Sequence, residues 1–309
     1  MLSHLKTLLL VSEAFPQSPV KPLGLLTRPP VTTSMGLNGK INADLVLPSR
    51  PGPHPAIIFA MGVKTSDQDR PIMLKFAETM SRLGFAVLWP RLALLDDGQD
   101  LPEEPSTFVE AFRYLEAHPQ VDPARISYLG FSIGSSLSLV AACHPDLANK
   151  VRSVVFFGGF YDVEAYLLAI AAGTPWQPAE DARRHFCDVL ESTRAYSVLK
   201  VLDARSRAEA EVLLGAADPQ ELAGLRRLSP AQVLQDLQAP VFILHDKGDT
   251  YVPYTESLAL DRALDGRKHT VTFVDLFEHV QPNRPLTWKD ARELLKLYGF
   301  VRGTLAEIA

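Results

Sequence analysis

Short apolar runs alternate with amphipathic stretches along most of the chain. Continuous apolar runs are typical of strands that are buried on both faces of a parallel sheet. They predict strands at residues 56–60, 85–89, 125–129, 151–157, 241–244 and 269–274, and a weaker alternation predicts another at 41–47. Helical spacing predicts helices at residues 71–83, 107–117, 133–143 and 255–264, and a closing helix at 288–298 that ends at Gly299. The alternation predicts an α/β fold with a mainly parallel central sheet flanked by helices.

One long stretch interrupts this alternation. Residues 161–235 contain helical patterns at 163–172, 179–196, 207–214 and 219–225 and no convincing strand. A plain crossover between parallel strands needs far fewer residues. We therefore expect residues 161–235, the cap segment, to be a helical insertion over the active edge of the sheet, with residues 40–160 and 236–309 as the core. The alternative is that these helices pack on one face as additional core.

The first residues, 1–39, predict an N-terminal helix followed by an extended arm. Residues 5–11 are apolar, but Glu13 interrupts them and no small-residue cleavage site is obvious. A short amphipathic helix packed on the domain is favoured over a signal peptide or a membrane anchor. Residues 16–34 are rich in proline, which predicts an irregular surface segment.

Composition narrows the class of protein. With 309 residues, 47% hydrophobic and 22% charged, the chain has an ordinary globular balance. The net charge of −5, without a dense stripe of basic residues, argues against a nucleic-acid partner. The two cysteines, Cys143 and Cys187, make neither a disulfide framework nor a metal cluster. We expect no metal, no organic cofactor, no stable membrane insertion and a cytoplasmic location, while a homodimer stays open.

Residues 130–134 read Gly-Phe-Ser-Ile-Gly and join a predicted strand to a predicted helix. The glycines let strand and helix pack closely, so the sharp turn lifts the Ser132 hydroxyl clear of the sheet edge. The helix N-terminus then points free N–H groups at whatever the serine attacks. The pattern predicts a nucleophilic serine, and the alternative is a loop serine that caps a helix.

A serine hydroxyl needs a neighbouring base, and the base needs a group that fixes its tautomer. The chain reads His-Asp-Lys-Gly-Asp at residues 245–249 and Asp-Leu-Phe-Glu-His at 275–279, in each case directly after a predicted strand. Ser132, Asp249 and His279 follow the chain order expected for a serine on such a turn. The competing side chains are Asp246 for the acid and, for the base, His245, His269 and His144.

These residues carry a family resemblance. The chain resembles the α/β-hydrolase superfamily, in its dienelactone-hydrolase-like and prolyl-oligopeptidase-like esterase branch. The matching pieces are Gly-Phe-Ser-Ile-Gly, the Gly-Asp-x-x-Val-Pro run at residues 248–253 and the Glu-His pair at 278–279. The resemblance implies that Ser132 is the nucleophile, Asp249 the orienting acid and His279 the general base. Dienelactone hydrolases carry a cysteine where this chain has Ser132, which argues against a dienelactone substrate.

A developing oxyanion needs two preorganised N–H donors. One is expected from Ile133, directly after the serine. The other is expected from Val63, in the loop Met-Gly-Val-Lys at residues 61–64, where many relatives have His-Gly. The glycine permits a tight turn that aims the amide of Val63.

Four residues are candidates for substrate binding, namely Met61, Lys64, Tyr166 and Trp176. Lys64 fits either an anionic substrate or a solvated loop. Tyr166 and Trp176 lie in apolar parts of the cap segment, so they make an apolar pocket if they face the serine. They fit a place in the core equally well.

The sequence as a whole predicts a carboxylesterase-like serine hydrolase that acts on a small-molecule ester through an acyl-enzyme. A peptidase and a thioesterase or lactonase share the same machinery, and the sequence does not separate them. A rival from another class is a non-catalytic binding protein with this fold.

Overall fold

The computed structural model describes residues 2–14, 22–39, 41–61, 70–91, 104–172, 176–192, 194–282 and 286–309. In this part of the chain the strands are β1 Val31–Leu37, β2 Ile41–Leu47, β3 His54–Ala60, β4 Ala86–Pro90, β5 Val121–Phe131, β6 Val151–Phe157, β7 Val241–Asp246, β8 His269–Val274, β9 Phe277–Glu278 and β10 Gln281–Pro282.

The helices of the described residues alternate with these strands. They are α1 Leu2–Ala14, α2 Pro22–Leu26, α3 Arg70–Arg82, α4 Glu104–Glu116, α5 Ile133–Ala142, α6 Val163–Ala172, α7 Glu180–Ser192, α8 Tyr196–Leu199, α9 Arg207–Gly215, α10 Pro219–Arg226, α11 Thr255–Ala263 and α12 Ala291–Ile308. Short 3-10 helices lie at Lys200–Asp203, Pro230–Gln232, Leu234–Asp236 and Trp288–Asp290.

Eight strands form one central sheet in the order β1-β2-β4-β3-β5-β6-β7-β8. The β1–β2 and β2–β4 pairs are antiparallel, and every later pair from β4 to β8 is parallel. The fold class predicted from the sequence is therefore confirmed. Because parallel strands end at the same edge, the carboxyl ends of β3, β5, β6, β7 and β8 all open onto one side of the molecule.

Helices cover both faces of this sheet. Every residue of β3, β4 and β7 is buried, which explains their continuous apolar sequences. On one face a large cluster includes Phe108 and Phe112 of α4, Leu137 of α5 and Leu260 of α11. On the other face a second cluster joins α1, α3 and α12 to the sheet. The N-terminal helix α1 packs on the domain through Leu10.

Within residues 16–34, which the sequence predicts as an extended arm or an irregular surface segment, the structure has two regular elements. Residues 22–26 form α2, and β1 begins at Val31 and extends the sheet through a hairpin with β2. The edge strand β1 is mostly exposed and polar, so it lacks the apolar run that marks a buried strand. The hairpin turn contains Asn38 and Gly39, both with positive φ, and this Asn-Gly pair was the available signal.

Two predicted helices have different bounds. The closing helix does not end at Gly299, because α12 begins at Ala291 and continues to Ile308. A β-carbon at Gly299 would meet nothing within 4 Å, so this glycine is an ordinary helical position and not a terminator. The predicted helix at 179–196 is divided into α7 and α8, with Arg194 between them at a positive φ of 57°.

The cap segment contains α6 to α10 and lies between β6 and β7 in the chain. Its described residues form helices and turns without a strand. Most of α6 is buried, and its apolar side chains belong to the same cluster as α4 and α5. No described helix is both long enough and apolar enough to span a membrane.

Gly134→Ala is expected to destabilise the fold by about 3 kcal/mol, because the new methyl group would overlap the carbonyl of Ala60 and neither backbone can easily move. Gly299→Ala is the matched control, since nothing lies within 4 Å of its β-carbon position. At this position the helical propensity of alanine should raise the free energy of unfolding by about 0.5–1 kcal/mol. Urea unfolding of both variants measures the two changes. Equal stabilities would contradict the close approach at Gly134.

Candidate active site

Ser132 occupies the turn between β5, which ends at Phe131, and α5, which begins at Ile133. Its backbone has φ 55° and ψ −139°, a conformation that non-glycine residues rarely adopt. Such strain costs on the order of 1–3 kcal/mol and persists only where the surroundings enforce it. The Ser132 amide donates to the Phe157 carbonyl at 2.9 Å, so the turn is fixed against the end of β6.

Two glycines make this turn sterically possible. A β-carbon at Gly130 would overlap the backbone of Ser135, one turn into α5. A β-carbon at Gly134 would overlap the Ala60 carbonyl and lie 2.6 Å from the carbonyl oxygen of Met61. The loop that follows β3 therefore begins directly against the first turn of α5.

Asp249 and His279 meet at the ends of β7 and β8. The imidazole Nδ1 of His279 lies 2.8 Å from Oδ2 of Asp249. Because Asp249 is buried and ionised, its carboxylate can only accept this hydrogen bond, which assigns the proton to Nδ1 and leaves Nε2 as an acceptor. His279 also has a positive φ of 58°, so strain occurs at two of the three residues predicted for the triad.

The Asp249 carboxylate is buried and fully occupied by donors. Its Oδ1 accepts from the amides of Tyr251 at 2.7 Å and Val252 at 2.9 Å. Burial by itself raises the pKa of Asp249, but hydrogen bonds from His245 and His279 outweigh it and hold this pKa well below its usual range. The carboxylate therefore stays ionised under all ordinary conditions.

A pair of glycines after β6 lies between the serine turn and the histidine–aspartate pair in the chain and close to both. A β-carbon at Gly158 would lie 3.5 Å from Oδ2 of Asp249 and 3.6 Å from Cε1 of His279. A β-carbon at Gly159 would lie 2.9 Å from the carbonyl oxygen of Ser132. Two consecutive residues thus lie beside the histidine–aspartate pair (Gly158) and the serine turn (Gly159). The sequence analysis missed them, although a Gly-Gly pair directly after a buried strand was a visible signal.

The two competing side chains on β7, Asp246 and His245, have hydrogen-bond partners of their own. Asp246 accepts from the amides of Leu276 and Phe277 at 2.7 and 2.8 Å, so it fixes the loop that leads to His279. His245 is buried, with Nε2 3.0 Å from the Val252 carbonyl and 3.3 Å from Oδ2 of Asp249.

The other two histidines lie away from these strand ends. His269 is the first residue of β8 and pairs with Asp261 at 3.0 Å, at the opposite edge of the sheet. His144 follows the end of α5, where its Nδ1 accepts from the amide of Asp146. Neither residue is near the Asp249–His279 pair, since parallel strands begin at the edge opposite to their carboxyl ends.

The predicted oxyanion donors are described only in part. Ile133 is the first residue of α5, so its N–H is among those that have no partner within the helix. Met61 lies half-buried at the end of β3, against the second hydrophobic cluster. Val63 and Lys64 lie outside the described residues, and their roles stay predictions.

Tyr166 and Trp176 direct their polar groups at the turn that carries Asp249. The hydroxyl of Tyr166 donates to the Tyr251 carbonyl at 2.8 Å, and the indole N–H of Trp176 donates to the Asp249 carbonyl at 2.6 Å. Tyr166 is only 7% exposed. Of the two alternatives left by the sequence, Tyr166 takes the core position, and a contact of either residue with substrate stays a prediction.

Tyr251 is a further residue of this site that the sequence analysis did not single out. Its ring stacks on the imidazole of His279, with centroids 5.0 Å apart and planes 22° apart. On its other side the ring faces His185 of α7 at 6.4 Å. This stack restricts the rotation of the His279 ring. Tyr251 could not be assigned this role from the sequence, because the contact joins residues that are 28 positions apart.

Glu256, in the first turn of α11, holds the start of the cap segment. It is 5% exposed, and its Oε2 accepts from the amides of Tyr161 and Asp162 at 3.0 Å each. Burial raises the pKa of Glu256 to about 7, against the opposing effect of these two amides. The charge of the neighbouring Asp162 also raises the pKa of Glu256.

Among the described residues, no group of three or more His, Cys, Asp or Glu side chains could hold a metal ion.

The sheet topology and the serine turn together place the chain in the α/β-hydrolase superfamily. The BD-FAE family model matches residues 43–264, and the chain belongs to this family.

Two curated relatives match shorter parts of the chain. Acyl-coenzyme A thioesterase 1 of Mus musculus is 36% identical over 110 residues, which are 34% of this chain and 24% of that protein. Peroxisomal succinyl-coenzyme A thioesterase of Mus musculus is 35% identical over 127 residues, which are 39% and 27% of the two chains. The matched region spans about a quarter of the length of these relatives.

Solved structures share the fold at low sequence identity. Est1E from Butyrivibrio proteoclasticus has a TM-score of 0.57 and 16% identity, and the match covers 90% of this chain and 98% of that one. An acylaminoacyl peptidase has a TM-score of 0.55 and 14% identity, with 90% of this chain and 40% of that one covered. These similarities establish the fold.

The raised pKa of Glu256 predicts a pH-dependent stability. Between its ordinary value of 4.5 and about 7, the folded protein holds a proton that the unfolded chain releases. The free energy of unfolding therefore falls as the pH rises through this interval, by on the order of 3 kcal/mol from this residue. Glu256→Gln keeps one oxygen for both amides and removes the charge.

Urea unfolding of wild type and Glu256→Gln at about pH 5 and about pH 8 measures this effect. The two proteins should be nearly equal at the lower pH, and the variant should be the more stable one at the higher pH. The other titrating groups are the same in both proteins, so their contributions cancel in the difference between the two free energies of unfolding. A difference independent of pH would show that Glu256 is not protonated in the folded protein.

Proposed function

We propose that this protein is a serine hydrolase that cleaves a carboxylic ester through an acyl-enzyme. The observation that carries the proposal is the arrangement at the strand ends. A strained serine follows β5, a buried carboxylate follows β7, and an imidazole hydrogen-bonded to that carboxylate follows β8. Gly158 lies beside the histidine–aspartate pair, and Gly159 lies beside the serine turn.

In this mechanism His279 is the general base. Its Nδ1–H donates to Asp249, so its Nε2 accepts the proton of Ser132 as the hydroxyl oxygen attacks the ester carbonyl. The ionised Asp249 stabilises the imidazolium that forms, and the depressed pKa of Asp249 keeps that charge in place. The imidazolium then gives its proton to the leaving alkoxide.

The tetrahedral intermediate carries a negative charge on the former carbonyl oxygen. The amide of Ile133 points from the N-terminus of α5, where the helix dipole favours an anion. Val63 is the proposed second donor, and the contact of Gly134 with Ala60 and Met61 supports this choice because the loop starts beside the serine. Water, activated by His279, hydrolyses the acyl-enzyme and restores Ser132.

A thioester is the second candidate substrate. Two relatives of more than 30% identity are named acyl-coenzyme A thioesterase and succinyl-coenzyme A thioesterase, although the match covers only part of each chain. Thioesters and oxygen esters are attacked by the same nucleophile and share the same tetrahedral intermediate. The two substrates differ in the leaving group, so a direct comparison separates them.

His279→Ala is expected to lower the turnover of a p-nitrophenyl ester by about a thousandfold or more, because Ser132 loses its proton acceptor. His269→Ala is the matched control. Like His279, His269 pairs with an aspartate, Asp261 at 3.0 Å, but this pair lies at the opposite edge of the sheet. The control variant should retain wild-type turnover. Near-wild-type rates for His279→Ala would mean that the base is another residue.

Ser132→Ala should abolish both turnover and labelling by a fluorophosphonate probe, because the probe reacts with an activated serine hydroxyl. Labelling is detected by mass spectrometry of the peptide that contains residue 132. If the wild-type protein takes up no label, it is a binding protein with this fold and the hydrolase proposal fails.

A panel of substrates with identical acyl groups decides between the two leaving groups. Each acyl chain, from two to about twelve carbons, is offered as a p-nitrophenyl ester and as a coenzyme A thioester, and kcat/KM is compared. The proposal expects the ester to be the better substrate after correction for its intrinsic reactivity. A consistent preference for the thioester would assign the second candidate.

A further inference from the structure

Three consecutive carbonyl groups of the acid turn, residues 249–252, accept hydrogen bonds from the cap segment. The Asp249 carbonyl accepts from the indole N–H of Trp176 at 2.6 Å, and the Thr250 carbonyl accepts from the amide of Ala179 at 2.8 Å. The Tyr251 carbonyl accepts from the hydroxyl of Tyr166 at 2.8 Å. The cap segment therefore binds the backbone of this turn residue by residue.

The same turn sets the geometry of the Asp249–His279 pair. Its amides at Tyr251 and Val252 both donate to Oδ1 of Asp249, and this fixes the plane of the carboxylate. The ring of Tyr251 stacks on the imidazole of His279. A rotation of the acid turn would therefore displace the carboxylate and the face of the imidazole together.

The turn is held on both sides. From the sheet, Nε2 of His245 lies 3.0 Å from the Val252 carbonyl, and its Nδ1 lies 2.6 Å from the Ser257 hydroxyl oxygen. From the cap segment come the three donors described above. Since Nε2 faces two acceptors, the Val252 carbonyl and Oδ2 of Asp249, it carries the proton. His245 thus holds the end of the turn and the carboxylate, while the carbonyls of residues 249–251 are held from the cap segment.

We propose that Tyr166 and Trp176 are positioning residues of the triad, because their hydrogen bonds to the acid turn hold Asp249 in the orientation that fixes His279. This inference rests on the proposed function and deepens it. It gives these two residues a role in kcat, distinct from the substrate contacts that the sequence suggested.

Packing makes the Tyr166 hydroxyl a well-directed donor. Its ring stacks on Phe160 at 5.4 Å and meets the edge of Phe186 at 5.3 Å, so the ring has little freedom. Burial, together with the charges of Asp249 and Glu256, raises the pKa of Tyr166 far above its usual range. The hydroxyl therefore keeps its proton and donates at every pH at which the protein is folded.

Tyr166→Phe removes the hydroxyl and keeps the packed ring. We expect kcat to fall about tenfold with little change in KM, because the loss of one buried hydrogen bond loosens the acid turn and leaves the pocket intact. The acid limb of the kcat profile should move to lower pH, since a displaced carboxylate stabilises the imidazolium less. Trp176→Phe should act in the same direction.

Tyr128→Phe is the matched control. Its hydroxyl is also buried and donates to a backbone carbonyl, that of Phe108 at 2.9 Å, but it lies between β5 and α4, in the core. This variant should lose similar stability in urea unfolding and keep the wild-type kcat and pH profile. If Tyr166→Phe behaves like Tyr128→Phe, or if it raises KM alone, the positioning role is overturned.

Two further measurements separate this inference from the proposed function. In an Asp249→Asn background, Tyr166→Phe should cause no further loss of kcat, because both changes act through the same carboxylate. The low-field proton NMR signal of the Asp249-bound Nδ1–H of His279 needs no turnover, and it should shift or broaden in Tyr166→Phe and stay unchanged in Tyr128→Phe. The absence of Ser132-dependent turnover in the wild-type protein would contradict the proposed function. An unchanged NMR signal in Tyr166→Phe would contradict the positioning role.

Discussion

A buried carboxylate is stable only where hydrogen-bond donors surround it, and Asp249 obtains its donors from several parts of the chain. Its own turn supplies two amides, and β7 and the loop after β8 supply two imidazoles. These donors together more than offset the cost of burial, which is why the pKa of Asp249 is lowered and not raised. The positions of His245 and His279 are thereby tied to one buried charge.

The remaining features of the site surround this charge. Asp246 fixes the approach of the loop that carries His279, and Gly158 lies beside the imidazole and the carboxylate with its backbone at a positive φ of 66°. On the opposite side, the absence of a side chain at Gly134 lets α5 begin against the backbone that follows β3. The strained turn at Ser132 is held by its amide, which donates to the Phe157 carbonyl, and by the close approach of α5 to the end of β3.

The buried strands and the order of the site residues could be predicted because local sequence encodes them. Apolar runs mark the inner strands, and the two glycines around Ser132 mark the sharp turn. The edge strand β1 was not predicted, because its residues are mostly exposed and polar. Only the Asn-Gly pair in the turn after β1 indicates the hairpin. Boundaries such as that of α12 depend on packing, since Gly299 is compatible with a helix or with its end.

The bonds between the cap segment and the acid turn could not be predicted, because they join residues that are far apart in the sequence. They bear on how such proteins diverge and how they can be redesigned. A segment from another protein in place of residues 161–235 would have to supply donors to these carbonyls. A chimaera that keeps these hydrogen bonds therefore needs the cap segment and residues 249–252 to be exchanged as one unit.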